Sequence, residues 1–294
     1  MSISTAGTRE DLAVCAEIWE KHPEVTAWVR EHGPAMAQQM VPGLCWARTG
    51  EEILASAQAV GVRLVLLGDL DYPDRLAAVP DAPVGLWVHG DVSILGGACV
   101  AVTGSRAASH YGQAVAEGIG GGLAEAGVNV VTGGAFGIDS AATQGAILGC
   151  GGSSAGGRND WGSVMIPGLG RPVVVLASGV DVPYPSAHKP MLAKVAEVGA
   201  VVSPWRPGST PTRDRFARRA RTIAALSDAV TLVEAGLRSG ALTTAREALT
   251  LERPVGVVPG PVTSATSDGC HAFLREHAQA HLVTGAPDVL EILA

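Results

Sequence analysis

Thr103-Gly104-Ser105-Arg106 is the stretch of this chain whose residue types are best suited to holding an anion. It follows the apolar run Cys99–Val102 and precedes a helical run that extends to Gly127. Glycine lets backbone N–H groups approach an anion closely, a helix N-terminus favours negative charge, and arginine adds a bidentate phosphate donor. A second small-residue turn, Gly133-Gly134-Ala135-Phe136-Gly137, follows the apolar run 128–132 and leads into Ile138-Asp139. The two turns belong to one βαβ unit, and in open α/β sheets ligands bind beyond the carboxyl ends of the strands, where such turns lie. The chemistry read from Gly104, Ser105, Arg106, Gly133, Gly134 and Gly137 is therefore phosphate handling. Two plainer roles stay open: Arg106 could cap the first helix, and the glycines could serve only a tight turn. Asp139 reads as an acid at a helix N-terminus that orients the turn.

A second concentration of chemistry lies between Arg206 and Arg221, where six arginines are opposed in sequence only by Asp214 and Phe216 sits among them. A charge run is usually a solvated helix face. Here the acidic counterparts are missing from the run, so it reads as a binding surface. Glu234, at a strand end, is a candidate catalytic carboxylate, but no acid–base partner is placed beside it by sequence, and no catalytic residue is assigned. His188 and His271 read as exposed single histidines without metal-ligand spacing, so no metal site is expected. Neither a Walker motif nor a Gly-x-Gly-x-x-Gly fingerprint occurs, which disfavours ATP hydrolysis and use of NAD.

The elements that must position these residues alternate. Strands are expected at 99–103, 128–132, 172–177, 200–203, 229–234, 254–258 and 280–283, and helices at 111–126, 138–148, 187–198, 215–226, 240–251, 268–278 and 286–293. Nearly continuous Val/Ala/Leu strands between helices predict a mostly parallel α/β sheet covered on both faces. Residues 1–60 read as a helical N-terminal region, with Val41-Pro42-Gly43-Leu44 as a turn between core helices. Residues 61–294 read as the core. Within it, 61–97 form a strand–turn–strand lead-in with a boundary near Gly96-Gly97, and the Gly/Ser-rich 150–170 a surface-loop insertion. The formal net charge of −7 argues against indiscriminate nucleic-acid binding. No apolar run reaches the length of a membrane span, and the N-terminus has no basic segment followed by an apolar core. The five cysteines are scattered without CxxC pairs, which fits a reducing cytoplasm and neither disulfides nor zinc.

An ordered series of motifs then resembles the DprA/Smf family of DNA-processing proteins. It runs from Tyr72-Pro73 and Pro83…Gly90 through Val102-Thr103-Gly104-Ser105-Arg106 and Gly133…Gly137-Ile138-Asp139 to Leu176…Gly179…Asp181…Tyr184-Pro185. Phe216…Arg219…Arg221…Leu226-Ser227, Val233-Glu234-Ala235, Ser239-Gly240, Val258-Pro259-Gly260 and Gly269-Cys270 complete it, over roughly 70–284. The resemblance implies an extended Rossmann-like core in a cytoplasmic protein that binds single-stranded DNA. It further implies loading of a RecA-type recombinase, in natural transformation or recombination, without catalysis or cofactor, and a possible homodimer. Carried over residue by residue, it adds Phe216, Arg218, Arg219, Arg221, Ser239 and Gly240 to the phosphate-binding set. Arginines track the backbone in a salt-dependent, sequence-tolerant way, and Phe216 stacks on a base. The chain departs from the family pattern at Ala217 and Ala220 (Pro and Asn), Thr143 (His), Pro204 (Glu), His188 (Asn) and Ala241 (Ser). No winged-helix module is expected after the core. The alternative is a nucleotide sensor or nucleotide-cleaving enzyme of the same fold group. Phosphoribohydrolases that resemble lysine decarboxylase carry Pro-Gly-Gly-x-Gly-Thr followed by a catalytic Glu-Glu. The corresponding Ser239-Gly240-Ala241-Leu242-Thr243-Thr244 lacks the acid.

Overall fold

A computed structural model describes residues 7–41, 48–151 and 166–293. The Pro42-Gly43 turn and most of the expected 150–170 insertion lie outside the described residues. The strands are β1 (Arg63–Leu66), β2 (Gly85–Gly90), β3 (Cys99–Gly104), β4 (Asn129–Thr132), β5 (Pro172–Val175), β6 (Ala200–Ser203), β7 (Ala229–Val233), β8 (Val255–Val257) and β9 (Ala280–Leu282). They form one nine-stranded sheet in the order β1-β2-β6-β5-β4-β3-β7-β8-β9. β6 to β9 along that order pair in parallel, with Val100 opposite Val130 on one side and Ala229 on the other. β3 to β7 are buried along nearly their whole length, as strands covered on both faces must be. The fold is the mostly parallel, Rossmann-like α/β sheet that the alternating pattern predicts.

The boundary expected near Gly96-Gly97 is not a break in the sheet. β1 and β2 join it directly: Trp87 of β2 lies opposite Ser203 of β6 in antiparallel register, and β1 pairs β2. The lead-in is thus an antiparallel edge on an otherwise parallel sheet.

Helices cover both faces. On one face, α5 (Asp74–Ala77), α9 (Arg213–Ala225), α10 (Ala241–Thr250) and α11 (Asp268–Glu276) bury Leu76, Ile223, Leu242 and Phe273 against Val88, Ala101, Val131, Val175 and Leu232. On the other, α6 (His110–Glu125), α7 (Ile138–Gly151) and α12 (Ala286–Glu291) pack on Val100, Val102 and Val130. The remaining helices, α1 (Arg9–Ile18), α2 (Val25–His32), α3 (Pro34–Gln39), α4 (Gly50–Ala59) and α8 (Lys189–Val198), share a core with Leu64, Leu66, Trp87, Val174 and Trp205. α1 and α4 each start on a capping box, Thr8 with Asp11 and Thr49 with Glu52, which satisfies two orphan N–H groups at each end. The N-terminal helical region is therefore a layer of the same molecule, laid on the sheet.

β3 lies between β4 and β7, so the chain leaves it to one side and returns on the other. The carboxyl ends of β3 and β7 border the crevice that such a switch of direction opens.

Candidate functional site

Three turns and one helix meet at that crevice. The first turn follows β3. Gly104 must be glycine, because a Cβ there would lie 1.8 Å from the Val233 carbonyl of β7. Ser105 donates its N–H to the Glu234 carbonyl at 2.7 Å and accepts from the Ile138 N–H at 3.1 Å, pinning the turn between β7 and α7. Ser109 then caps α6 by accepting from the Gly112 N–H at 3.1 Å.

The second turn follows β4. Asp139 is buried and gathers it: the carboxylate accepts from the N–H groups of Gly133 and Ala135 at 3.0 and 3.3 Å and from the Thr103 hydroxyl at 3.1 Å. Burial pushes the Asp139 carboxyl up, with Arg219 and these hydrogen bonds opposing the rise. Gly137 takes a positive φ of 76°, and a Cβ on it would meet the Ser105 carbonyl at 2.2 Å, so the two turns touch backbone to backbone. Gly134 has its carbonyl 2.9 Å from Nδ1 of His188, whose ring meets Phe136 edge-on at 4.5 Å. His188, expected as an exposed single histidine, is instead half-buried and holds this turn.

α9 brings Phe216 and Arg219 from the other side. Thr212 caps the helix, accepting from the Arg215 N–H. Arg219 donates to the Gly133 carbonyl at 2.8 Å and its Nε is buried without a partner. Burial pulls the Arg219 guanidinium down, with Asp139 opposing and Arg106 adding to the fall. The Phe216 ring has the guanidinium carbons of Arg106 and Arg219 at 5.4 and 5.2 Å from its centroid and the Tyr184 ring at 5.5 Å.

The third turn, after β7, carries Arg238, Ser239 and Gly240 to the start of α10, where the Ser239 hydroxyl accepts from the Ala241 N–H at 3.3 Å. Together these segments enclose a cavity of about 620 Å³ with Thr103, Ser105, Arg106, Arg219, Arg238 and Thr266 on its walls. Arg106 and Arg238 are exposed and make no hydrogen bond or ion pair among the described residues. Two guanidiniums without a partner among the described residues, a third with a buried unpartnered N–H, and the helix start at Gly240 are groups chemically suited to hold an anion. Asp139 is its one carboxylate, and it is turned to the backbone.

Of the residues expected at the site, Gly104, Ser105, Arg106, Phe216, Arg219, Ser239 and Gly240 line this cavity. Gly133, Gly134 and Gly137 are not among its lining residues; they lie in the turn that Asp139 and Arg219 tie down beside it. Arg218 and Arg221 are placed elsewhere. Arg218 lies 3.9 Å over the Trp19 ring and donates to the Trp19 and Glu20 carbonyls. Arg221 pairs with Asp81 at 2.7 Å and Glu247 at 2.8 Å, and Arg215 with Glu20 at 3.2 Å. The arginine run is thus not unopposed. Its acidic partners come from distant segments, and the fold assembles them around α9. Glu234, the candidate catalytic carboxylate, is buried at a positive φ of 46°. Its two oxygens accept from the Ser109 N–H and hydroxyl and the Thr266 hydroxyl, a structural tie between α6 and the loop after β8. Among the described residues no three His, Cys, Asp or Glu side chains gather as a metal site. Sequence reading missed Arg238, Thr266 and Tyr184. Arg238 was within reach, since it immediately precedes Ser239-Gly240.

Comparison with known proteins shows the family of this chain. A family model for DNA recombination-mediator protein A matches residues 63–294. A DNA processing protein DprA of Mycobacterium tuberculosis is 42% identical over 214 residues, covering 72% of this chain and 50% of that protein. The DNA processing protein DprA of Streptococcus pneumoniae is 36% identical over 219 residues, 74% of this chain and 70% of that protein. This chain therefore spans about half the length of the mycobacterial relative. The solved structure of the pneumococcal protein aligns over 97% of this chain and 93% of its own, with a TM-score of 0.69 and 29% identity. The DNA processing protein A of Helicobacter pylori, described for its single-stranded DNA binding mode, aligns over 78% of this chain and 95% of its own, with a TM-score of 0.64 and 25% identity.

Proposed function

This chain belongs to the DNA recombination-mediator protein A family, and from that premise we propose that it binds single-stranded DNA in the cavity at the carboxyl ends of β3 and β7. One observation carries the reading: a cavity lined by Arg106 and Arg238, which are unpaired among the described residues, and by a buried Arg219 whose Nε has no partner among them. A phosphodiester supplies the acceptors these groups lack. Arg106, Arg219 and Arg238 hold the phosphate oxygens, while Ser105, Ser239, Gly240 and Thr266 border them. The protein acts by binding, covering the strand and presenting it to a RecA-type recombinase in the cytoplasm, with no cofactor and no bond broken. The single-stranded DNA named for the Helicobacter relative supports the strand. Self-association as a homodimer belongs to the same reading.

The volume of the cavity also suits a free nucleotide, so the sensor reading is the one to test against. Fluorescence anisotropy of a labelled single strand, its duplex and a labelled mononucleotide separates them. The proposal expects the single strand to bind most tightly. Tight mononucleotide binding with no gain from a longer strand would move the assignment to a nucleotide sensor.

A further inference from the structure

We propose that Phe136 and Tyr184 form a base-stacking platform beside the phosphate cavity, an inference that rests on the single-strand reading above. Phe216 is the aromatic that sequence singles out for stacking, but its ring is crowded by Arg106, Arg219 and Tyr184, all within 5.5 Å of its centroid. It orients the arginines. Aromatic surface is left open on its neighbour Tyr184, 42% exposed, and on Phe136 of the second turn, 46% exposed.

Three features make these rings a prepared surface. Phe136 sits on the turn that Asp139 ties down through the Gly133 and Ala135 N–H groups, and its ring leans edge-on against His188, at an interplanar angle of 69°. His188 is itself fixed to the Gly134 carbonyl and follows Tyr184 by four residues, so one short segment sets both rings. Gly137, next to Phe136, touches the backbone of Ser105 and Arg106, which places the platform at the rim of the cavity. Rings held this way lose little freedom when a base settles on them, and every base offers a π-face. The flanking guanidiniums of Arg106 and Arg238 match a polyanion, and paired bases inside a duplex could not reach the rings. The occupant that fits is therefore the bases of a single strand whose phosphates lie in the cavity.

The test compares an oligothymidylate with an abasic strand of the same length, across a salt series, for the wild type, Phe136→Leu, Tyr184→Leu and Arg106→Ala. Leucine keeps bulk at an exposed position and removes the π-face. Each leucine variant is expected to bind the oligothymidylate about five- to tenfold more weakly, with the wild-type salt dependence, and the abasic strand as the wild type does. Wild-type affinity for the oligothymidylate in both leucine variants, with Arg106→Ala still weakened, overturns the platform and leaves the single-strand reading standing. A wild type that binds neither strand overturns both.

Discussion

At the scale of single residues, the site is a division of labour among charges. Arg106 and Arg238 keep their donors free, Arg219 spends one on Gly133 and leaves Nε unpartnered, and the acids are occupied by the backbone and hydroxyls. Glu234 shows what that occupation means. Its carboxylate satisfies the Ser109 N–H and hydroxyl and the Thr266 hydroxyl, and it lies so close to Gly112 that a Cβ there would fall 2.2 Å from Oε2. Glu234→Ala is expected to leave these buried groups without acceptors, at a cost of about 2 kcal/mol or more, read as a fall in Tm of several degrees. Were Glu234 instead a catalytic base, the substitution would leave Tm in place and abolish a hydrolytic activity.

At the scale of elements, α9 is the part that joins the site to the rest of the chain. Its inward residues Phe216 and Arg219 face the cavity, while Arg215, Arg218 and Arg221 bolt it to Glu20, Trp19, Asp81 and Glu247. Burial raises the Asp81 carboxyl, but the hydrogen bonds and charge of Arg221 outweigh it and hold it below the ordinary carboxylate value. A carboxyl lowered in the folded state contributes stability above its unfolded pKa and loses it as the pH falls through the folded one. Arg221→Gln is therefore expected to cost about 1 kcal/mol at neutral pH, discounted for the exposure of the pair, and to converge with the wild type in acid. Single-strand affinity at neutral pH should hold, because Arg221 braces α9. A fall in both affinity and salt dependence would instead put Arg221 on the DNA. The strands and helices themselves were legible, since Val-rich runs bounded by Gly, Pro and Ser announce their own ends. So were Gly104, Ser105 and Arg106, which sit at the end of β3 that those patterns mark, while Arg219, inside α9, came from the motif resemblance. The partners of the other arginines were not: Glu20 is 198 residues from Arg218 and Asp81 is 140 from Arg221, separations that no local pattern records. Tyr184 was hidden for the same reason, because its exposure depends on how Phe216 packs beneath it.

At the scale of the whole molecule, a chain with a net charge of −7 sets three arginines, Arg106, Arg219 and Arg238, around one crevice. The sheet places that crevice where its strand order turns, and the N-terminal helices, sharing a core with Leu64, Trp87 and Trp205, hold the arginine helix from behind. Among the described residues no helix is long and apolar enough to cross a membrane. In a chain of net negative charge, a small cavity lined by arginines makes binding local: affinity should come from a few phosphates, and each arginine that meets one should be visible in the salt response. The most direct measurement is the slope of log affinity against log salt for a single-stranded oligonucleotide, in the wild type and in Arg106→Ala. The account predicts weaker binding by the variant and a slope shallower by about 0.7, the value for one phosphate contact on a single strand. An unchanged affinity and an unchanged slope would contradict it, since the DNA would then lie elsewhere on the protein.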